Sequence, residues 1–455
     1  MFQMPSPPPR SWADLAGRSV GIWGYGVEGR LAERLLVGLG VTPVVVDDHC
    51  SEAGVVALAA GGFEALGACD VVVKSPGVPR YRPEVSALEA DGVQVVGGLG
   101  LWMEGVDRTR VLCVTGTKGK STTVSILGHL MAGLGQRCFV GGNLGIPPYD
   151  PAAPADVDWW VIETSSYQVM DLWSAPPIVA VTSLHPDHLD WHGSAEQYYS
   201  DKLSLCRLPG AHRTVANGAD PRLRARRAEL GPEVRWITPP DGPVPAWVRQ
   251  LGLLGAHNAT NALIARACLL ELGVPGADDD HHLAEAAAGF ARLPARLYPV
   301  GEVAGVRFVD DGLSTNVLPT VAALDAFDDD PVALIVGGFD RGIDYRPLAE
   351  ALAARRAPTL VLVVPDVGAH IAEIIAEVAP TVEVRSCAEE GEAACRGWEW
   401  ATRRPTGPGG PASRPRQPGG VVLLSPAAPS YGRYHDYTER SRVFAAAVEQ
   451  CRRRS

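Results

Sequence analysis

The stretch VLCVTGTKGKST, residues 111–122, decides the fold. Its β-branched half, Val111–Thr115, predicts a buried strand, and its glycine-rich half leads into a helix-like segment. In such a strand–loop–helix unit the backbone N–H groups cradle phosphates, Lys120 adds a positive charge, and the hydroxyl of Ser121 or Thr122 can reach Mg²⁺. We therefore predict a phosphate loop formed by Gly116, Thr117, Lys118, Gly119, Lys120, Ser121 and Thr122.

Strand-like and helix-like segments alternate along the whole chain. The predicted strands are Ser19–Trp23, Pro43–Asp47, Val71–Lys74, Val93–Val96, Val111–Thr115, Trp159–Glu163, Ile178–Thr182, Val306–Val309, Val332–Val336, Thr359–Val364 and Val421–Leu424. Helix-like segments include Glu28–Gly38, Ser121–Gly133 and Ala259–Leu272. This alternation predicts an α/β protein with parallel sheets, whose ligands bind at the carboxyl ends of the strands.

Length and composition exclude several classes of protein. The 455 residues allow roughly three domains of about 150 residues. A formal charge of −11 disfavours nucleic-acid binding. No apolar run is long enough to cross a bilayer, and the N-terminus lacks a signal-peptide pattern. The nine cysteines contain no CxxC pair, which predicts reduced thiols and a cytoplasmic protein. The breaker-rich segment 403–420 predicts a mobile surface loop.

A second glycine signature lies near the N-terminus. Gly24, Gly26 and Gly29 follow the first predicted strand in the pattern G-x-G-x-x-G, and Asp47 ends the next strand. These features predict a diphosphate site that holds either NAD or a UDP-type ligand. The loop Lys74–Gly77 follows another strand end and could complete that site.

Candidate metal ligands follow two strands of the central region. Glu163 ends one strand, where a carboxylate would face a metal bound to nucleotide phosphates. The three histidines His185, His188 and His192 allow two readings: a zinc site, or a magnesium site with one histidine ligand. Lys202 has the pattern of a solvated helix lysine.

Taken together, these motifs resemble the Mur ligase family. The resemblance rests on the phosphate loop and on the following segments in order: Glu163–Gln168, Asp187–Asp190, Lys202, His257–Asn261, Leu293–Leu297, Asp310–Asp311, Gly337–Arg341 and Leu424–Pro426. It implies a three-domain architecture: a Rossmann-like UDP-substrate domain (1–108), a P-loop ATPase-like domain (109–293) and a Rossmann-like glutamate domain (294–455). It also implies ATP, two Mg²⁺ ions and the substrate UDP-N-acetylmuramoyl-L-alanine, and it displaces NAD from the first site.

The resemblance assigns roles to individual residues. The implied catalytic residues are Lys120, Glu163, His188 and Lys202, and the implied metal ligands are Ser121, Glu163, His188 and N-carboxylated Lys202. ATP would also contact Asn258, Arg296 and Asp311. The UDP substrate would contact Gly24, Tyr25, Gly26, Asp47, Ser75, Pro76, Gly77, Asn143 and Ser165. Glutamate would contact Thr315, Arg341, Ser430 and Tyr437.

Some positions depart from the D-glutamate-adding branch of the family. That branch carries Asp-Ser-Lys at Asp311–Leu313, Lys at Arg341 and Asn at Lys118. Other segments, among them Asp190–Ser194 and Ser425–Gly432, resemble a branch that adds L-glutamate and relies on a partner epimerase. We therefore expect an L-glutamate ligase that acts as a monomer.

Four other readings stay open. They are a D-glutamate-adding ligase, a folylpolyglutamate synthetase, an NAD-dependent dehydrogenase and a non-catalytic Mur-like binding protein. About 107 residues precede the central strand, whereas a folylpolyglutamate synthetase lacks an N-terminal UDP domain. A dehydrogenase would leave the phosphate loop without a role, and a binding protein would not need Lys120, Glu163, His188 and Lys202.

Overall fold

The structure, a computed structural model, describes residues 9–50, 52–240, 242–403 and 419–455. The chain forms two compact units. The first unit runs to Leu251 and resumes over Ala259–Phe290, and the second comprises Gly252–Asn258 and Ala291–Ser455. Two sheets belong to the first unit and one to the second. The boundaries at residues 108 and 293 stay a prediction.

The first sheet has five parallel strands in the order β3-β2-β1-β4-β5. Its strands are β1 (Val20–Trp23), β2 (Val44–Asp47), β3 (Val55–Ala57), β4 (Val71–Lys74) and β5 (Gln94–Gly97). Its helices are α1 (Val27–Gly38), α2 (Gly62–Gly67), α3 (Pro83–Ala90) and α4 (Gly98–Gly105). The strand order reverses between β1 and β4, so the loops after these two strands border the crevice where such sheets bind ligands.

The second sheet has six parallel strands in the order β11-β10-β9-β6-β8-β7. Its strands are β6 (Val111–Thr115), β7 (Cys138–Gly142), β8 (Trp159–Glu163), β9 (Ile178–Val181), β10 (Arg213–Asn217) and β11 (Glu233–Ile237). The helices are α5 (Lys120–Gly133), α6 (Ser166–Val169), α7 (Leu189–His192), α8 (Ala195–Ser204), α9 (Pro221–Ala225), α10 (Ala246–Gln250), α11 (Ala256–Glu271) and α12 (Asp280–Ala287). The phosphate-loop strand β6 is central and fully buried, as a parallel strand covered on both faces should be.

The second unit contains a six-stranded sheet in the order β12-β13-β17-β14-β15-β16. Its strands are β12 (Tyr298–Val303), β13 (Val306–Asp310), β14 (Val332–Gly338), β15 (Thr359–Asp366), β16 (Glu383–Ser386) and β17 (Gly420–Leu424). Its helices are α13 (Val317–Asp325), α14 (Arg346–Ala354), α15 (Gly368–Val378), α16 (Glu390–Thr402) and α17 (Tyr437–Arg454).

One strand pair corrects the expectation of purely parallel sheets. Strands β12 and β13 are antiparallel because the two residues between them, Ala304 and Gly305, form a tight hairpin turn. Both have positive φ, 49° and 80°, the backbone conformation of a two-residue turn that matches strand twist. The other strand pairs of this sheet are parallel.

Several simpler expectations can be compared with the described residues. All nine cysteines are free in the structure. No helix in the described part of the chain is both long and apolar enough to cross a membrane. The segment predicted as a mobile loop lies almost wholly outside the described residues; Arg403 follows α16, and Gly420 begins β17.

Candidate active site

The phosphate loop lies between β6 and the N-terminus of the 14-residue helix α5. Gly116 and Gly119 have φ of 138° and 90°, and a Cβ at Gly116 would lie 2.2 Å from the Thr182 hydroxyl. The Lys120 Nζ donates hydrogen bonds to the carbonyls of Gly116 and Thr117 at 2.9 and 3.1 Å. The ammonium is thus folded over a loop at a helix N-terminus, which is the arrangement that binds phosphate groups.

Glu163 presents an unsatisfied carboxylate oxygen beside this loop. It ends β8 and is paired in register with Val114 of β6. Its Oε1 accepts a hydrogen bond from Asn143 Nδ2 at 2.9 Å, whereas its Oε2 is buried with no hydrogen-bond partner among the described residues. Because a buried carboxylate oxygen without a partner is costly, this oxygen is suited to binding a cation.

Lys202 is buried, which corrects its reading as a solvated lysine. It lies on α8 with 2% of its surface exposed, and its Nζ is 5.0 Å from the centre of the Tyr198 ring. Burial and the nearby Lys120 hold the pKa of Lys202 well below its usual value, against the opposing effect of Asp187 and Glu163. No carboxylate of the described chain segments lies within ion-pair distance of its Nζ.

The loop after β9 adds histidine and carboxylate groups to the same cluster. Lys118 Nζ lies 3.3 Å from Asp187 Oδ2, and the Lys118 N–H donates to Ser183 Oγ at 2.9 Å. Burial lowers the pKa of His188, and the cations Lys118, Lys202 and Lys120 lower it further. Three lysines, one histidine and two carboxylates therefore lie around the phosphate loop, and the catalytic roles of Lys120, Glu163, His188 and Lys202 stay predictions.

The arrangement of these groups suits magnesium better than zinc. His192 binds Asp201 and Ser166 through its two ring nitrogens, and His185 contacts Arg222, so the three histidines do not converge. No group of three histidine, cysteine or acidic side chains within the described ranges could hold a metal alone. Mg²⁺ is normally bound by one or two protein oxygens together with water and substrate phosphates. The unsatisfied Glu163 oxygen fits that pattern, and the zinc reading is wrong.

The first glycine loop meets the loop after β4. Ser75 Oγ donates to the Gly24 carbonyl at 2.6 Å, and the Ser75 N–H donates to the Trp23 carbonyl at 2.8 Å. Gly29 must be glycine, because a Cβ there would lie 2.0 Å from the Gly24 carbonyl oxygen. A small cavity of about 10 Å³ opens beside Ser75 and is also lined by Glu28. The predicted substrate residues Gly24, Gly26, Ser75, Pro76 and Gly77 thus belong to two adjoining loops.

The other predicted UDP-substrate residues have structural contacts of their own. Asp47 accepts hydrogen bonds from the N–H groups of Tyr25, His49 and Cys50 at 2.6, 2.8 and 2.7 Å, so its carboxylate shapes the glycine loop. Ser165 caps α6 through a reciprocal pair of hydrogen bonds with Gln168. Their contact with a substrate, like that of Asn143, stays a prediction.

The predicted nucleotide residues of the second unit include one enclosed carboxylate. Asp311 is 7% exposed and accepts hydrogen bonds from the Leu297 N–H at 3.1 Å, from Ser425 Oγ at 2.8 Å and from Ser314 Oγ. Burial raises its pKa to about 7. Asn258 Nδ2 donates to the Leu254 carbonyl at 2.7 Å. The ATP contacts of Asp311, Asn258 and Arg296 stay predictions.

The predicted glutamate residues lie at or near the carboxyl edge of the sheet in the second unit. Arg341 is exposed after β14, and its guanidinium carbon lies 5.5 Å from the centre of the Tyr431 ring. Ser430 is 7% exposed in the loop after β17, and Tyr437 is 36% exposed at the start of α17. Thr315 lies in the loop after β13, where its N–H donates to the Leu313 carbonyl at 2.9 Å.

Arg440 is a residue at this edge that the sequence analysis missed. It is fully buried and donates hydrogen bonds to the carbonyls of Gly312 at 2.7 Å and Ala428 at 3.2 Å. It therefore joins the loop after β13 to the loop after β17. The available signal was its spacing from the buried residues Phe444, Val448 and Cys451, which places an arginine on the apolar face of α17.

Comparison with known proteins agrees with this geometry. The Mur ligase middle domain matches residues 114–243. The chain is 41% identical to the UDP-N-acetylmuramoyl-L-alanine–L-glutamate ligase of a Micromonospora species, over 96% of this chain and 97% of the relative. It is 42% identical to the ligase of the same name from Salinispora tropica, over 96% and 98%.

Solved structures agree on the fold. A MurF ligase of Acinetobacter baumannii superposes with a TM-score of 0.59 at 15% identity, covering 98% of this chain and 95% of that one. The dehydrogenase reading is wrong, because the full-length relatives are ligases. The chain belongs to the Mur ligase family of ATP-dependent, amide-bond-forming ligases.

Proposed function

We propose that this enzyme joins L-glutamate to the alanyl carboxylate of UDP-N-acetylmuramoyl-L-alanine in peptidoglycan precursor synthesis. The observation that carries the proposal is the cluster around the phosphate loop: Lys118, Lys120 and Glu163 all lie near enough to Lys202 to act on its charge, and one Glu163 oxygen has no hydrogen-bond partner among the described residues. A site with two lysine ammonium groups, a buried lysine amine and one unsatisfied carboxylate oxygen suits a nucleoside triphosphate with its metal. The names of the two relatives at 41% and 42% identity support the choice of substrates.

The proposed reaction has two steps, because an amide does not form spontaneously from a carboxylate in water. An oxygen of the alanyl carboxylate attacks the γ-phosphorus of ATP, the bond to the bridging oxygen breaks, and ADP leaves. The glutamate amine then attacks the acyl carbon of the acyl phosphate, inorganic phosphate leaves, and the nitrogen loses a proton. The balance is one ATP consumed for one amide, one ADP and one phosphate.

The residues of the phosphate loop stabilise charge in the first step. The N–H groups of Gly116–Lys120 and the Lys120 ammonium hold the β- and γ-phosphates in line with the carboxylate. Ser121, Glu163, His188 and N-carboxylated Lys202 would hold Mg²⁺, which neutralises negative charge on the transferring phosphoryl group when it is bound. Two ions are proposed, because the four groups exceed what one magnesium surrounded by phosphates and water takes up.

N-carboxylation would replace an unfavourable buried ammonium at Lys202 by an anion. The neutral amine adds to the carbon of CO₂ and releases one proton, which leaves a carbamate whose single negative charge is shared by two oxygens. In a pocket that already contains Lys118 and Lys120, an anion at this position is stabilised, whereas a third ammonium is not. The buried amine therefore becomes a metal ligand.

The two loops of the first sheet would hold the UDP part of the substrate. N–H groups of Gly24, Tyr25 and Gly26 would face the diphosphate, with Ser75, Pro76 and Gly77 opposite and Asp47 fixing the glycine loop. Asn143 and Ser165 would contact the muramoyl part. We propose that the reaction takes place in the cytoplasm, where such substrates and ATP are found. We also propose that the enzyme is a monomer.

The choice of L-glutamate rests on the edge of the second unit. Leu313 has no charge where the D-glutamate branch has lysine, and Arg341 offers two parallel donors where that branch has an ammonium. Both enantiomers carry the same charge, so only geometry can discriminate between them. With the amine fixed for attack, the wrong enantiomer leaves a carboxylate without its donor, which costs about 10²-fold or more in efficiency. An epimerase would then act on the product if D-glutamate is required downstream.

The test is ADP release with purified enzyme, ATP, Mg²⁺, UDP-N-acetylmuramoyl-L-alanine and either glutamate enantiomer, with product identified by mass spectrometry. We expect L-glutamate to support turnover and D-glutamate to support it poorly. A reaction without the UDP substrate is the control and should release little ADP. Efficient use of D-glutamate alone would overturn the enantiomer choice, and absence of product with both would overturn the function.

A further inference from the structure

A buried hydrogen-bond chain lies next to the proposed metal ligands and has no role in the reaction so far. His192 Nδ1 is 2.6 Å from Asp201 Oδ2, and His192 Nε2 is 3.0 Å from Ser166 Oγ. Because a carboxylate only accepts, the imidazole Nδ1 donates to Asp201, and in the neutral ring Nε2 then accepts from the Ser166 hydroxyl. The three residues are 4%, 4% and 2% exposed for His192, Asp201 and Ser166.

This order of atoms is also that of a nucleophilic serine triad, but here it cannot act as one. Ser166 lies beneath the surface at 2% exposure, and its Oγ already donates to His192. A substrate carbonyl would have no path to that oxygen. The chain of hydrogen bonds therefore holds segments of the protein in place.

The hydrogen-bond chain continues to the loop that follows β4. Asp201 Oδ1 accepts hydrogen bonds from the Tyr81 hydroxyl at 2.6 Å and from Gln197 Nε2 at 2.7 Å. Gln197 Nε2 also donates to the Tyr81 oxygen at 2.9 Å. Asp201 thus has donors on both oxygens, and one of them comes from the loop proposed to bind the UDP substrate.

Each member of the chain is a close neighbour of a proposed site residue. Ser166 follows Ser165, Asp201 precedes Lys202, and His192 ends α7, whose N-terminal cap is His188. The ring of Tyr167 packs against His192 at 5.7 Å between centres, which fixes the plane of the imidazole. The segments that carry Ser165, His188 and Lys202 are therefore tied together by one imidazole and one carboxylate.

We propose that His192 and Asp201 are positioning residues that hold Lys202 and His188 where both can bind the metal. Tyr81 links this arrangement to the loop that is proposed to bind the UDP substrate. The inference rests on the proposed function and assigns that function two further residues and a link between its two substrate sites. The carboxylate of Asp201 is central, because losing the His192 donor removes the hydrogen bond that its Oδ2 accepts in a buried environment.

The first test compares His192→Ala with His192→Asn, whose side-chain amide can replace the Nδ1–H donor to Asp201. We expect His192→Ala to lower kcat at least about tenfold, the effect of one lost buried hydrogen bond to a charged group. The KM for glutamate should stay unchanged. His192→Asn should recover part of kcat, a rescue that depends on the hydrogen bond and not on packing.

The second readout does not use activity. With ¹³C-labelled bicarbonate, a carbamate signal at Lys202 should be present in wild type, weakened in His192→Ala and partly restored in His192→Asn. Thermal unfolding of each variant checks that it is folded. A kcat and carbamate signal within twofold of wild type in folded His192→Ala would overturn the proposal. If wild type makes no product while its carbamate signal still responds to His192, the proposed function fails and the positioning role stands.

The third test compares Tyr81→Phe with the control Tyr199→Phe. The control removes the same hydroxyl from a tyrosine of helix α8 whose ring packs under Arg226 and which does not belong to the hydrogen-bond chain. Tyr81→Phe should raise the KM for the UDP substrate about five- to tenfold. Tyr199→Phe should leave it within twofold. Equal effects of the two changes would remove Tyr81 from the coupling.

Discussion

Two lysines are buried in the first unit, and their surroundings differ. Lys74, at the end of β4, is 1% exposed; its Nζ lies 2.8 Å from Asp171 Oδ2 and donates to the Val78 carbonyl at 2.8 Å. Lys202 is 2% exposed and lies near Lys118 and Lys120, and no carboxylate of the described residues is within ion-pair distance of it. A buried charge is tolerated when it is paired, so Lys74 has a structural environment. An unpaired one indicates a site where chemistry supplies the compensation.

The composition of the chain makes this comparison sharper. Of its 41 basic residues only four are lysines: Lys74, Lys118, Lys120 and Lys202. Arginine serves elsewhere, and it is a larger, planar cation that cannot lose its proton in a protein. Lysine is retained where a compact ammonium fits a loop or where a free amine can react. All four positions lie in or next to the two proposed substrate sites.

The largest effect is expected from Lys120→Ala. Its ammonium supplies much of the positive charge on the transferring phosphoryl group, so ligation should fall by about 10³-fold or more. Circular dichroism and thermal unfolding should match wild type, because the Lys120 ammonium donates hydrogen bonds to carbonyls of its own loop. Turnover near the wild-type rate would remove the phosphate loop from the reaction.

Lys202→Ala should be nearly inactive, by about 10²-fold or more, because the proposed carbamate ligand is lost. Bicarbonate, formate or acetate should restore part of the activity by supplying a carboxylate to the metal. The measurement is the initial rate of ADP formation against anion concentration, with chloride as the control. A variant within a few-fold of wild type, or one that no anion rescues, would contradict the assignment.

Replacing each buried lysine by methionine tests the comparison through stability. Lys74→Met should lower the free energy of unfolding by about 3–5 kcal/mol, because Asp171 is left as a buried, partly unpaired anion. Lys202→Met should leave it within about 1 kcal/mol of wild type, or raise it, because no paired carboxylate is abandoned. Urea denaturation at pH 7 gives both values. Equal losses would mean that the two lysines are alike.

Asp311 shows a third way to bury an ionisable group, which is to keep its proton. Its replacement is expected to have the smallest effect of the changes considered. Burial raises its pKa to about 7, so the folded protein retains a proton that the unfolded chain releases near pH 4. Its contribution to stability is complete below about pH 4 and is lost as pH rises through 7. Asp311→Asn should therefore flatten the fall of the unfolding free energy between pH 5 and pH 8. An unchanged pH dependence would show that another group causes it.

The sequence predicted secondary structure best for the central strands, where apolar residues have a single role, which is to be buried. The strands predicted at Val71–Lys74, Val111–Thr115 and Trp159–Glu163 coincide with the observed ones, because central parallel strands are continuous apolar runs. The strands that were missed are β3, β7, β10, β11, β12 and β16, and all but β10 lie at sheet edges. Edge strands such as Glu383–Ser386 carry charged residues that protect an open edge, so they lack that pattern.

The site residues also differ in how far their sequence pattern predicts their role. The phosphate loop could be predicted from its strand–loop–helix setting with Lys120 and from its glycines, because its conformation has positive φ at Gly116 and Gly119. The pattern around Lys202 is that of a solvated helix, and only the family resemblance separated it from other lysines. The spacing of Arg440 on the apolar face of α17 was a usable signal, but its partner could not be predicted because Gly312 lies 128 residues away in the sequence. The pairing of His192 with Asp201, nine residues away, has no sequence pattern of its own.

Most proposed site residues follow the carboxyl ends of strands: Gly24 after β1, Ser75 after β4, Glu163 at the end of β8, Arg341 after β14 and Ser430 after β17. The amino ends of the same strands carry none of them. Selection for a new substrate can therefore act on one rim of each sheet while the opposite rim drifts under selection for stability alone. This separation offers a physical route by which one architecture could give rise to ligases for different amino acids without loss of the fold.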